Sequence, residues 1–178
     1  MRIVVMSIVL LILGMAPALA SADCRLLPPV FGQRAEEVTL QHNLNLLSGD
    51  ENISTSLTLR GTRLCEDLPE GSEMTLRFLE GQFVQIRIDW FGSESTLLDF
   101  AEKRYGEAQG KPNPNHPQAQ FFDSSWDQGD VLVTYSAVPK DNGVHEYLEL
   151  TSRKHADLFG RANKKEEDAY NAMQERGR

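Results

Sequence analysis

The stretch EMTLRFLEGQFVQIRIDW, residues 73–90, decides the fold. Met74, Leu76 and Phe78 alternate with Thr75 and Arg77, and Val84, Ile86, Ile88 and Trp90 alternate with Gln85, Arg87 and Asp89. An apolar residue at every second position suits a strand with one face buried, because successive side chains point to opposite sides of a sheet. Glu80-Gly81 lies between the two runs, and glycine takes positive φ without steric cost, so a two-residue hairpin turn is expected there. Two antiparallel strands are therefore the seed of the fold.

The pattern continues upstream. Val38, Leu40, His42, Leu44 and Leu46 alternate with Thr39, Gln41, Asn43 and Asn45. This predicts a strand over 38–46, with a helix through Leu40, Leu44 and Leu47 as the alternative, disfavoured because Thr and Asn are poor helix formers. Ser48 to Asn52 supplies turn chemistry, and Ile53, Thr55, Leu57 and Leu59 resume the alternation as the second arm of a hairpin.

Downstream, the period changes at Ser93. Leu97, Phe100, Ala101 and Tyr105 fall at helical spacing, with Glu94 and Asp99 early and Lys103 and Arg104 late, as the helix dipole favours. Ser93 or Ser95 is suited to cap the start and Gly106 to end it, which predicts a helix over about 94–105. Residues 111–117 carry three prolines and read as a loop. Phe121 to Trp126, Val131 to Val138 and Val144 to Leu150 read as three further strands, joined by turns at 127–129 and 141–143.

Asn163 with Glu166 matches a capping box and Gly177 suits a helix end, so a C-terminal helix is expected over about 163–176. Its apolar stripe, Ala162, Ala169, Tyr170 and Met173, is thin, which predicts loose docking or exposure. The fold class that follows is α+β: an antiparallel meandering sheet of about 6–7 strands, one helix packed on a face and a helical tail.

Arg2, the apolar run Ile3 to Leu13, and the small residues Ala18, Ala20, Ser21 and Ala22 have the layout of a signal peptide, with cleavage expected after Ala20 or Ala22. The alternative is an uncleaved membrane helix, which the short apolar core and Pro17 disfavour. Asp23 stands where a lipoprotein signal needs a small residue before Cys24, so no stable membrane anchor is expected. The organisation predicted is a signal peptide over 1–22, a single α+β domain over 23–160 and a charged helical tail over 161–178. The localisation that follows is periplasmic or secreted.

Export to an oxidising compartment makes a disulfide between Cys24 and Cys65 the default expectation. Closing a loop of that length removes chain entropy worth about 4 kcal/mol. A redox role is disfavoured, since there is no Cys-x-x-Cys pair.

The formal charge is −8, which disfavours nucleic acid as a partner, because phosphate backbones are held by clustered Lys and Arg. The charge is uneven: residues 153–178 carry seven basic and five acidic side chains, a basic tail after an acidic body. Either the tail is a solvated helix of mixed charge, or it docks on the body or on a separate acidic surface.

The four histidines, at 42, 116, 145 and 155, lack metal-binding spacing, and His145 and Glu146, adjacent on a strand, point to opposite faces. Asp123, Asp127 and Asp130 surround a turn without an EF-hand pattern. There is no G-x-S-x-G, Walker or dinucleotide motif, and no cofactor is expected. Trp90, Phe91, Phe121, Phe122, Trp126, Tyr135 and Tyr147 are expected mostly in the core. Adjacent Phe121 and Phe122 cannot share a face, so one ring needs a cover.

The expected function is a non-catalytic accessory or inhibitor-like module that binds an envelope or secreted protein. Phe121, Phe122, Tyr170 and Met173 are the candidate interaction surface. The alternatives are a small hydrolase using carboxylates and a carrier of a small apolar ligand between sheet and helix.

Overall fold

The computed structural model describes residues 24, 26–44, 53–93, 96–108 and 122–176. Its elements are α1 (Ala35–His42), β1 (Ser54–Arg60), β2 (Glu73–Leu79), β3 (Gln82–Gly92), α2 (Thr96–Tyr105), β4 (Phe122–Gln128), β5 (Val131–Lys140), β6 (Gly143–Ser152) and α3 (Ala156–Arg176). The strands form one antiparallel sheet in the order β1-β2-β3-β6-β5-β4. Two three-strand meanders are thus joined side by side through β3 and β6, and α2 lies in the connection between them.

The β2–β3 hairpin turns at Glu80 and Gly81, both at positive φ (49° and 76°), which matches the right-handed twist of its strands. Beyond the turn the register shifts. Phe78 pairs with Phe83 and Arg77 with Gln85, so Val84 is an extra residue without a partner on β2. This bulge lets two consecutive residues be buried on opposite faces: Phe83 joins the main core and Val84 a second, smaller cluster.

The main core lies on one face of the sheet. Met74, Leu76, Phe78, Ile86, Ile88, Val133, Tyr135, Leu148 and Leu150 meet Val38 of α1 and Leu97, Phe100 and Ala101 of α2. Cys24 and Cys65 form a disulfide that ties the N-terminal segment to the loop after β1. On the other face, Leu158, Phe159 and Ala162 of α3 pack on Ile53, Leu79 and Val84.

The strand expected over 38–46 is a helix over its described part, and the hairpin with β1 is not formed; β1 pairs with β2 instead. The reasons are local. Glu37 accepts a hydrogen bond from the Arg34 backbone N–H (3.1 Å), closing the first turn. The Thr39 hydroxyl donates to the Ala35 carbonyl (2.9 Å) and so stays compatible with a helix. Asn43 takes the left-handed conformation that ends it (φ 51°). Leu40, which the alternation places inside, is 83% exposed. Leu46, Leu47 and the turn at 48–52 lie outside the described residues, as do the export segment, the loop at 111–117 and Gly177.

The central helix runs as expected, and Gly106 ends it at φ 96° with its N–H on the Glu102 carbonyl (3.0 Å). The terminal helix starts at Ala156, so Asn163 is an interior residue and not its cap. A short 3-10 turn, Arg153–His155, leads directly into α3. Of the aromatics, Tyr135 and Trp126 are buried, whereas Phe91 is exposed and Tyr147 lies half-buried on the open face.

Candidate functional site

Four places in the described structure concentrate polar or unpartnered chemistry. The first is a fully buried carboxylate. Glu146 on β6 points into the core, accepts a hydrogen bond from the Tyr135 hydroxyl and another from the Leu97 backbone N–H (3.1 Å). Leu97 is in the first turn of α2, where backbone N–H groups have no partner within the helix. Glu146 supplies the missing acceptor from a strand 49 residues away. Burial raises its pKa, against the lowering effect of the Tyr135 hydroxyl and the Leu97 and Leu98 amides.

The second is an ion network on the open face of β3 and β6. Arg87 grips Asp89 through Nε and Nη2 (both 2.9 Å), reaches Glu149 through Nη1 (3.2 Å) and lies over the Tyr147 ring (4.4 Å). His145 Nε2 meets Asp89 Oδ1 at 3.0 Å. His145 and Glu146 therefore do face opposite ways. The hydrogen bond to Asp89 chiefly raises the pKa of Arg87, despite partial burial. An imidazole–carboxylate pair activates a nucleophile only when a hydroxyl or thiol is within reach of the imidazole. Among the described residues no such group bonds to His145, and both cysteines are joined to each other. Among the same residues no three His, Cys, Asp or Glu side chains are placed to hold a metal ion.

The third is the outer half of α3. The helix is anchored near its start: Arg161 Nη2 and Lys165 Nζ both bond the Glu80 carboxylate (3.0 Å each), Arg77 approaches Glu166 (3.9 Å) and lies over Phe159 (5.6 Å). These bonds, with Arg161's the largest cause, lower the Glu80 pKa to about 2. Arg153 pairs with Asp127 (2.9 Å) and Lys154 with Asp130. The basic end of the chain thus docks on the acidic body. Past Lys165 the helix continues, with Tyr170 58% and Met173 66% exposed. Tyr170 and Met173 fall on the helical face that carries Ala162, whereas Phe121 lies outside the described residues and Phe122 is described only by its place in β4. The expected interaction surface is thus represented by its helical half.

The fourth is a groove of about 340 Å³ on the main-core side. It is lined by Leu27, Pro28 and Pro29, by Arg104 and Tyr105 at the end of α2, and by Gln128, Val131, Val133 and Leu150. Trp126 forms its neighbourhood, 6.1 Å from the Tyr105 ring and with its indole N–H on the Gly106 carbonyl (2.9 Å). The lining comes from four separate stretches of chain, so no local motif announces it. Compared with family models, curated proteins and solved structures, the chain matches none.

The disulfide fits an oxidising extracellular compartment, and no described helix is long and apolar enough to cross a membrane.

Proposed function

We propose that the protein is exported by its first 22 residues and acts as a non-catalytic module that binds another envelope or secreted protein through the outer half of α3. One observation carries this reading. A single stripe of α3 is buried against the sheet at Leu158 and Ala162 and then continues, uncovered, to Tyr170 and Met173. An isolated helix as short as this outer half is marginal in water, but here it extends a helix already held by Leu158, Arg161 and Lys165. A partner meets a preformed surface and is spared much of the ordering cost. Exposed Tyr and Met are also the residue types enriched where proteins meet.

The ion network on the open face does not compete for this role. Its carboxylates are committed to Arg87, and the buried Glu146 is committed to the start of α2.

The test is photo-crosslinking in the native host from a reactive residue at position 170, 173 or, as a control on the opposite side of the helix, 168. Positions 170 and 173 should give one adduct of the same mass, absent from 168. Tyr170→Ser with Met173→Ser should weaken capture of that partner at least tenfold with an unchanged Tm. Equal adducts from all three positions, or none, would overturn the reading.

A further inference from the structure

The groove beside α2 differs from the rest of the surface in one respect. Its walls are mainly apolar, yet they include a guanidinium. Arg104 lies half-buried with its Cζ 5.1 Å from the centre of the Phe100 ring, and its Nη1 is covered without a hydrogen-bond partner among the described residues. No carboxylate of the described residues forms an ion pair with it, in a chain whose formal charge is −8. Every other arginine on the sheet-facing surfaces described above, at 77, 87, 153 and 161, faces a carboxylate. A buried polar group without a partner is costly, and a charged one more so, unless something else supplies the acceptor.

We propose that this groove binds a small monocarboxylate with an apolar body. The carboxylate pairs with Arg104 at the end of α2, and the body lies on Leu27, Pro28, Pro29 and Val131, with Val133 and Leu150 behind them. The neighbouring groups suit that polarity. Tyr105 and Gln128 are neutral donors on the same wall, and burial, the largest influence on the Tyr105 phenol, keeps it protonated up to about 12. The volume is within the range of small-ligand sites, and mainly apolar walls with a few placed polar groups are their usual composition. Arg is the residue best matched to a carboxylate, since its planar fork donates two parallel hydrogen bonds. The site lies on the face of the sheet opposite α3, so it stands or falls independently of the outer helix.

Decanoate is the probe, titrated below its micellar concentration against the full mature chain. Trp126 fluorescence and calorimetry are the readouts. Saturable one-to-one binding is expected, with 1-decanol at least tenfold weaker and decyltrimethylammonium weaker still. Arg104→Gln should lose decanoate binding at least tenfold while retaining any weak affinity for decanol, and Arg104→Lys should recover part of it. Val131→Trp, which fills the groove from a partly exposed position, should abolish both. Far-UV circular dichroism and Tm are recorded for each variant, and the comparison of the three probes on the unaltered protein stands even if a variant fails to fold. Equal binding of the anionic and cationic probes, undiminished decanoate binding by a folded Arg104→Gln, or no saturable binding would overturn the proposal.

Discussion

Two glutamates each hold a helix against the same sheet, one from either face. Glu146 does so from inside the core, with the first turn of α2 and the Tyr135 hydroxyl as its donors. Glu80 does so from a hairpin turn in solvent, with Arg161 and Lys165 of α3 as its donors. Burial raises the pKa of the first, and its cationic partners lower the second to about 2. The contrast is in how each helix would be released. Around Glu146 no water is available to replace a lost bond, whereas around Glu80 water can replace each partner at little cost. The α2 side is therefore built to be permanent, and the α3 side rests mainly on the apolar contact of Leu158, Phe159 and Ala162.

The largest effect expected from breaking this comparison is at Glu146. Glu146→Ala leaves the Tyr135 hydroxyl and the Leu97 amide without an acceptor in the core, and should cost about 3 kcal/mol of unfolding free energy. Glu146→Gln keeps one acceptor oxygen and should cost about 1 kcal/mol. Urea unfolding followed by circular dichroism measures both. A loss for the Ala variant no larger than for the Gln variant would show that α2 is held by its apolar face alone.

Legibility in the sequence follows the range of the interactions. The hairpin of β2 and β3 was readable because its signals are adjacent: an alternation on each side of Glu80-Gly81. α1 was not, since its eight residues bury only Ala35 and Val38 while Leu40 points outward, so its apolar pattern mimics a strand. Its readable signals are the Arg34–Glu37 cap and Asn43, not its periodicity. The pairing of β3 with β6 joins strands far apart in the chain, and nothing local encodes it. That His145 and Glu146 face opposite ways was readable, but which of them points inward, and its partner Leu97, were not. That Tyr170 and Met173 share an exposed face of a helix was readable from spacing alone, whereas the groove around Arg104 draws on stretches that share no spacing.

A smaller effect sharpens the α3 side of the comparison. Gly160 lies in the docked half of α3, and an added Cβ there meets no atom within 4 Å. Glycine in a helix interior is unfavourable relative to alanine, so Gly160→Ala should raise stability by about 0.5–1 kcal/mol. Thermal unfolding reads this as a higher Tm. Asn171→Ala, also a helix-favouring change but in the exposed projecting half, should leave Tm nearly unchanged, because that half adds little to the packing on the sheet whose loss sets the transition. An equal rise for both would mean that the whole of α3 unfolds with the body.

The smallest effect is electrostatic, and its sign distinguishes the two acids. The folded-state pKa of Glu80 lies below its ordinary 4.5, so its ion pairs stabilise the fold above about 4.5 and lose that contribution as pH falls through about 2. Glu80→Gln should therefore match the unaltered protein near pH 2 and lack the rise in stability between those values, ending slightly less stable at neutral pH, the difference being small because an exposed ion pair contributes little. Glu146 behaves in the opposite sense. With its pKa raised above 4.5, the folded state favours the protonated acid, so its contribution is full below 4.5 and declines as pH rises through the folded value. Glu146→Gln should remove that mildly acidic gain while preserving the Glu80-dependent loss at lower pH. Stability measured from pH 2 to 7 for the two variants and their combination separates the limbs: additive, oppositely signed changes are expected, since the two carboxylates act on different helices from different faces of the sheet. A Glu80→Gln profile that parallels the unaltered protein throughout would leave apolar packing as the force that docks α3.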